Sequence, residues 1–388
     1  MKDELKLILK HIMRFILKIF WIFPIKKNTI FFMSYMGKGI LCNPKYIYYS
    51  MADDGRFADY TFIWCFKHPE NFKNQYFSKN TRIICKRNLF SYFYHLLTSE
   101  TIIYNCNGFS YAPIRKKQFL IETMHSGGVF KGVGFTVDNK TKASKKGITL
   151  ANKDIKMYIS SAELSTKYYI RDSYHFYGEV LNSGLPRVDL MFHYDQNMVQ
   201  KVKEDLHVPE SKKIVLYAPT FRGREDQAHS ITPGSEVIDP KMVKEALTKR
   251  FGGEWVFLTR GHQYVNGLSI SGSDGDISSY PDMQEILLAT DVLITDYSSS
   301  PWDFSFLNRP IFLYVSDLTQ FDNNDRGLLI PLEKWLGIIT RNNEDLYEKI
   351  ISYSQEDFER KTKEHYAFVQ NYDHGNACEI LKARILNR

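Results

Sequence analysis

Short apolar runs that end on polar residues recur along this chain and constrain its fold more than any other feature. Thr29–Ser34 (TIFFMS), Tyr60–Cys65 (YTFIWC), Thr81–Cys85, Thr101–Tyr104, Phe119–Met124 and Met157–Ser161 have strand length and little polar alternation. Strands apolar on both faces belong to parallel sheets covered by helices. Helices are expected between them, from near Pro44, over Phe90–Leu97 and over Ala162–Tyr169. Asn139–Asn152 is polar and lysine-rich with no apolar period, and reads as an exposed loop.

The pattern restarts in the second half. Lys213–Ala218, Trp255–Arg260, Val292–Thr295 and Pro310–Tyr314 read as strands, and Pro240–Phe251, Asp282–Ala289 and Trp302–Leu307 as helices. A chain of 388 residues exceeds one ordinary core. The expectation is therefore an α/β protein with an N-terminal segment 1–27 and two domains, 28–195 and 196–388. Polar motifs follow the strands in both halves. Ligands of open parallel sheets bind beyond the carboxyl ends of strands, so a site in a cleft between domains is expected.

The first 27 residues pose a membrane question. Lys6, Lys10, Arg14 and Lys18 recur every four residues, while Leu9, Ile12, Phe15, Ile16 and Ile19 supply apolar bulk. A spanning helix needs roughly 20 mostly uncharged residues, which this segment lacks. No small-residue cleavage site marks a secretory signal. The expectation is a basic amphipathic helix, ended by Pro24, lying peripherally on an anionic membrane surface. The alternative is a helix packed on the protein's own core.

A net charge of +7 fits an anionic partner. No finger spacing, RNP motif or long basic run points to nucleic acid. Aromatic residues reach 15%, enough for broad contact surfaces as well as a core. The five cysteines are scattered and never spaced CxxC, which argues against a zinc site or a disulfide framework and suits a reducing compartment. No carboxylate cluster suggests a metal cage. No Walker loop, HExxH, nucleophile elbow or GxGxxG follows a strand in the required order. Neither metal nor cofactor is expected.

Four strand ends carry the chemistry. In Met124-His125-Ser126-Gly127-Gly128, with Lys131, a histidine can accept a proton from an attacking hydroxyl, and the glycines can let backbone N–H groups approach phosphate. A structural histidine beside a turn accounts for the same residues. Arg260-Gly261-His262 places a guanidinium fork and an imidazole at a strand exit, where an ordinary polar exit is the plainer reading. Asp291–Ser300 runs an apolar strand into Thr295, Asp296, Ser298 and Ser299 ahead of a helix, and hydroxyls at a helix N-terminus attract anions. N-capping accounts for one of those serines but less easily for all of the hydroxyls. Thr220 and Arg222, after the strand Lys213–Ala218, meet either phosphate or solvent. Leu185-Pro186-Arg187-Val188-Asp189 reads as an interdomain turn with an internal ion pair.

Taken in order, these motifs resemble the CDP-glycerol glycerophosphotransferase family, the teichoic-acid primases and polymerases. His125 with Gly127 and Lys131 is similar to the family's His-Gly-Thr-Pro-x-Lys segment, although Ser126-Gly127-Gly128 replaces Gly-Thr-Pro. Leu185–Asp189 is similar to its Pro-Arg-x-Asp segment. Tyr217–Thr220, Arg260 with His262, and Leu293–Ser299 are similar to its later motifs, and Tyr314 with Asp317, Arg326-Gly327 and Asp373–Ala377 continue the series. The resemblance implies a GT-B-like fold of two Rossmann-like domains facing a cleft, with the acceptor on the first domain and the CDP-alditol donor on the second. It implies His125 and His262 as the catalytic pair, and attachment to the cytoplasmic face of the cell membrane.

The expected reaction is direct phosphoryl transfer. A hydroxyl of a lipid-linked polymer acceptor attacks the β-phosphorus of CDP-glycerol and CMP leaves. His125 serves as general base. His262 and Arg260 stabilise the diphosphate or protonate the leaving phosphate. Thr295, Ser298 and Ser299 hold the diphosphate, and Thr220, Arg222 and Asp317 complete the donor site. Transfer of ribitol phosphate, glycosyl transfer from a nucleotide sugar, and non-catalytic binding of an anionic polymer are the competing readings.

Overall fold

The computed structural model describes residues 2–106, 108–137, 141–220, 236–261, 268–319, 321 and 327–388. These form two compact units. The first comprises Met1–His125, Val133–Asp189 and Tyr372–Arg388; the second comprises Ser126–Gly132 and Leu190–Asn371. The chain thus leaves the first unit immediately after His125, and its last segment returns there.

In the first unit, seven parallel strands stand in the order β3-β2-β1-β4-β5-β6-β7. They are β1 (Lys26–Met33), β2 (Thr61–Phe66), β3 (Thr81–Cys85), β4 (Ser99–Tyr104), β5 (Phe119–Glu122), β6 (Met157–Ile159) and β7 (Glu179–Leu181). The strand order reverses between β1 and β4, which makes that gap the switch point of the sheet. The aromatic wealth of the sequence is spent largely on this core. Phe32 stacks on Trp64, and Trp64 on Phe66, at ring separations of 5.2 and 5.5 Å, and all three are fully buried.

Helix α1 (Lys2–Ile16) opens the chain, and a 3-10 segment, Leu17–Ile22, buries Leu17 and Phe20. Helices α2 (Cys42–Ala52) and α3 (Leu89–Thr98) cover the sheet. The stretch expected to be an exposed loop contains helix α4 (Lys142–Asn152). Thr141 caps it by accepting a hydrogen bond from the Ser144 N–H at 3.1 Å, and α4 packs against α1. Its apolar side is narrow, with Leu150 its buried residue, so no apolar period was visible. The helix expected over Ala162–Tyr169 continues instead as a π-helix, Thr166–Ser173. The closing helix, Ala377–Leu386, is held by Asp189, whose carboxylate accepts from the N–H groups of Ala377 and Cys378 at 2.9 and 2.8 Å.

The second unit has six parallel strands in the order β10-β9-β8-β11-β12-β13. They are β8 (Lys213–Tyr217), β9 (Trp255–Thr259), β10 (Gly275–Asp276), β11 (Val292–Thr295), β12 (Ile311–Tyr314) and β13 (Ile338–Thr340). This sheet reverses between β8 and β11. Pro240–Phe251 is helical as expected, with Asp239 capping it. The helix after β11 is short, Ser300–Ser305.

Candidate active site

Each sheet collects polar groups at its switch point. In the first unit, Asn105, just after β4, takes the backbone N–H of Tyr35, just after β1, on its Oδ1 at 2.9 Å. The Asn105 carbonyl lies 3.2 Å from Nδ1 of His125, which follows β5. The imidazole is solvent-exposed, and the Tyr35 ring stands edge-on to it at 6.2 Å.

The backbone around His125 is strained and braced. Tyr35, Met36, Cys42 and Met124 all have φ between 42° and 59°, a region uncommon for residues other than glycine. Asn43 donates from Nδ2 to the carbonyls of Thr123 and Met124 at 2.6 and 3.0 Å. Asn43 Oδ1 in turn accepts the Arg187 N–H at 3.0 Å. Arg187 Nη1 donates to the His125 carbonyl at 2.6 Å. The Leu185–Asp189 motif, expected to be a turn, thus ties His125 in place through Arg187 and caps the last helix through Asp189.

A cavity of about 520 Å³ opens beside His125 within the first unit. The strand ends supply Tyr104, Asn105 and Glu122, while α1 contributes Lys6 and Lys10 and the start of α4 contributes Ser144. Glu122 is buried, and burial pushes its carboxyl up to about 8. Its Oε1 accepts the Met124 N–H at 3.1 Å, which lowers the carboxyl's pKa and only partly offsets burial. The neighbouring Tyr104 hydroxyl acts in the same downward sense, although it is not placed for a hydrogen bond. Glu122 escaped notice in the sequence. The available signal was a carboxylate inside an otherwise apolar, fully buried strand.

The cations of the N-terminal stripe do not share one environment: Lys6 and Lys18 are exposed, and Lys10 and Arg14 are half-buried. Lys6 and Lys10 line the cavity. Arg14 donates to the Ala112 carbonyl at 2.7 Å and pairs with Asp154 at 2.6 Å. The exposed surface of α1 and the following turn also carries Ile8, Ile12, Phe15, Ile16, Ile19 and Ile22, with Phe15 at 76% and Ile22 at 74% exposure. Among the described residues, no helix is long and apolar enough to cross a membrane.

In the second unit the switch point is closed by hydrogen bonds. Thr220, after β8, donates its N–H and its hydroxyl to Asp296 Oδ1, each at 2.8 Å. The Thr295 hydroxyl donates to the Ala218 carbonyl at 2.6 Å, and the Tyr297 hydroxyl to Asp317 at 3.0 Å. Thr220, Thr295 and Asp317 are buried, while Ser298 and Ser299 are half-buried at the N-terminus of the helix Ser300–Ser305. Arg260, at the end of β9, donates to the carbonyls of Ile277 and Tyr280 at 3.3 and 2.7 Å.

Gly127 and Gly128 lie against that same helix. A Cβ on Gly127 would fall 2.1 Å from Cδ1 of Trp302, and one on Gly128 2.7 Å from Cε3 of the same ring. Lys131 pairs with Leu328 in an antiparallel bridge. The glycines therefore make room for an indole, a use that the phosphate-loop expectation did not foresee. His262 and Arg222 lie outside the described residues. The five cysteines are free thiols, and among the described residues no group of three or more His, Cys, Asp or Glu could hold a metal ion.

Two parallel, doubly wound sheets with polar groups gathered at their switch points define a GT-B-like α/β protein. A family model described as CDP-Glycerol:Poly(glycerophosphate) glycerophosphotransferase matches residues 15–387, and the chain belongs to this family. It is 27% identical over 372 residues to the teichoic acid poly(glycerol phosphate) polymerase of Staphylococcus epidermidis, covering 92% of this chain and 50% of that protein. It is 26% identical over 361 residues to the teichoic acid glycerol-phosphate transferase of Staphylococcus aureus, covering 90% of each. A solved structure of the wall teichoic acid polymerase TagF, soaked with CDPG, matches with a TM-score of 0.79 at 25% identity, over 100% of this chain and 98% of that one. The chain thus spans about half the length of the first relative and nine tenths of the second.

Proposed function

We propose that this protein transfers glycerol phosphate from CDP-glycerol to a hydroxyl of a lipid-linked, teichoic-acid-type acceptor and releases CMP. The observation that carries the reading is the exposed imidazole of His125, held by Asn43 and Arg187 through the backbone beside a cavity that Lys6, Lys10 and Asn105 help to line. Family membership supplies the reaction class.

In the proposed reaction the acceptor oxygen attacks the β-phosphorus and its proton passes to His125. The bond from that phosphorus to the bridging oxygen breaks and CMP departs with the electron pair. Charge builds on the phosphoryl oxygens, so positioned donors lower the barrier. Ser298 and Ser299 are suited to meet the diphosphate, being half-buried at a helix start. Thr220, Thr295 and Asp317 support that edge from inside the fold, where their polar atoms are already engaged. Arg260 and His262 serve the diphosphate and the leaving CMP, and Arg222 the donor phosphates. Gly127, Gly128 and Lys131 shape the loop that follows the base.

The protein acts at the cytoplasmic face of the cell membrane as a peripheral protein. The support is the row of exposed apolar side chains on α1 and the turn after it, among them Ile8, Ile12, Phe15 and Ile19.

A panel of CDP-glycerol, CDP-ribitol, UDP-sugars and GDP-sugars, offered with a lipid-linked acceptor, tests the reading. CMP release with CDP-glycerol is expected, together with a loss of about 10²-fold or more in the His125→Ala variant. Release of UDP or GDP from a sugar donor, or near-full turnover by His125→Ala, refutes it. Preferential use of CDP-ribitol reassigns the alditol.

A further inference from the structure

The cavity beside His125 is equipped for a ligand that is anionic at one end and hydroxylated at the other. Lys6 and Lys10 bring two ammonium groups to its α1 side, and neither forms an ion pair with another described residue. Asp3, the carboxylate on the same helix face, is engaged by the Thr141 hydroxyl at 2.7 Å. Lys10 Nζ lies over Gly147 of α4, where a Cβ would stand 3.7 Å from it. A glycine in mid-helix costs stability, and here it leaves space beneath the ammonium.

The floor of the cavity holds unused hydrogen-bonding capacity. Tyr104 is 1% exposed and Asn105 is fully buried, yet the Tyr104 hydroxyl and the Asn105 Nδ2 meet no hydrogen-bond partner among the described residues. The Tyr104 hydroxyl is directed at the cavity wall, 3.0 Å from where a Cβ of Gly108 would lie. Buried polar groups are ordinarily paired, so two orphans lining one cavity mark a place where a ligand completes the bonding. All of these groups belong to the first unit, as does His125.

We propose that this cavity binds the phosphate-bearing polyol end of the acceptor, with Lys6 and Lys10 on its phosphate and Tyr104 and Asn105 on its hydroxyls, and offers the terminal hydroxyl to His125. The proposal rests on the transferase reading above and names the substrate end that its acceptor unit takes. Phosphate on a membrane lipid headgroup would present the same chemistry to the lysines. The acceptor is the better occupant because Lys6 and Lys10 line the cavity together with the Tyr104 hydroxyl and Asn105 Nδ2, unpaired among the described residues, which a headgroup phosphate would not complete.

The test uses the full chain and a soluble poly(glycerol phosphate) oligomer as acceptor, without vesicles. In the Lys6→Gln/Lys10→Gln double variant the KM for the oligomer should rise about tenfold or more, the scale expected for losing charge-assisted contacts. The KM for CDP-glycerol should stay within twofold. Gly147→Leu, which fills the space beneath Lys10 without changing charge, should raise the same KM selectively. An unchanged oligomer KM in both variants overturns the proposal. Flotation with phosphatidylglycerol vesicles separates the two phosphate sources. Loss of flotation by the double variant with its oligomer KM unchanged would assign the lysines to headgroups and overturn the proposal. If the wild type releases no CMP from CDP-glycerol with any acceptor, the transferase reading fails. Calorimetry with the oligomer then decides the cavity: saturable binding that the double variant loses supports it, and absence of binding sinks it.

Discussion

Arg187 Nη1 donates a 2.6 Å hydrogen bond to the carbonyl oxygen of His125, across 62 residues of sequence. The bond fixes the backbone that presents the imidazole, while Asn43 fixes the two carbonyls before it. In the proposed reaction Arg187 is thus a positioning residue. With His125 as the base proposed above, Arg187→Met should lower kcat by about tenfold or more, because misplacing it forfeits near-attack geometry. The KM for CDP-glycerol should hold, and Arg187→Lys, which keeps one donor, should recover part of the loss. Steady-state kinetics on the three proteins checks this. Equal losses in both variants, accompanied by collapse of the far-ultraviolet spectrum, would mean that Arg187 serves folding alone.

Gly127 faces a steric wall. A methyl group there would lie 2.1 Å from the Trp302 ring, far inside contact distance. Gly127→Ala should destabilise the protein by about 1–3 kcal/mol, the usual penalty of overpacking. Combining it with Trp302→Ala should cost less than the sum of the two single changes, since loss of the indole removes the clash that the new methyl group makes. Chemical denaturation of the four proteins in the cycle measures the coupling. Strict additivity would show that the ring and the glycine do not meet.

Glu122 gives stability a pH signature. Burial raises its folded pKa from the ordinary 4.5 to about 8, so between those values the folded chain holds a proton that the unfolded chain has lost. Stability therefore falls as pH rises from about 4.5 to about 8 and levels off above that, by at most about 1.4 kcal/mol per pH unit. Glu122→Gln cannot ionise. Its melting temperature should exceed that of the wild type at pH 8, and the gap should close toward pH 4.5. Parallel melting curves across that range would contradict the assignment.

The apolar face of α1 makes a separate prediction. Phe15 and Ile19 are 76% and 65% exposed, so replacing both with glutamate removes no core contact. Phe15→Glu/Ile19→Glu should abolish flotation with phosphatidylglycerol vesicles and leave thermal stability within about 0.5 kcal/mol of the wild type. A variant that still floats fully would place the membrane contact elsewhere.

The order of strands along the chain and their burial on both faces were written in the sequence, because a run such as Ile30–Met33 has no polar residue to turn toward water. So was the placing of His125, Thr220, Arg260 and Thr295 at strand ends, which follows from where each apolar run stops. The four-residue spacing of Lys6, Lys10 and Arg14 was equally plain, but a period says only that residues share a face. The tertiary structure decided what that face meets: a cavity for the lysines, and Asp154 for Arg14. It also decided that Lys142–Asn152 is a helix under α1, that Arg187 reaches the His125 backbone, that Gly127 shelters an indole, and that Tyr372–Arg388 returns to the first unit. Local pattern reports the balance between a residue and water, whereas these outcomes are contacts between residues far apart in the chain, and only packing brings such residues together.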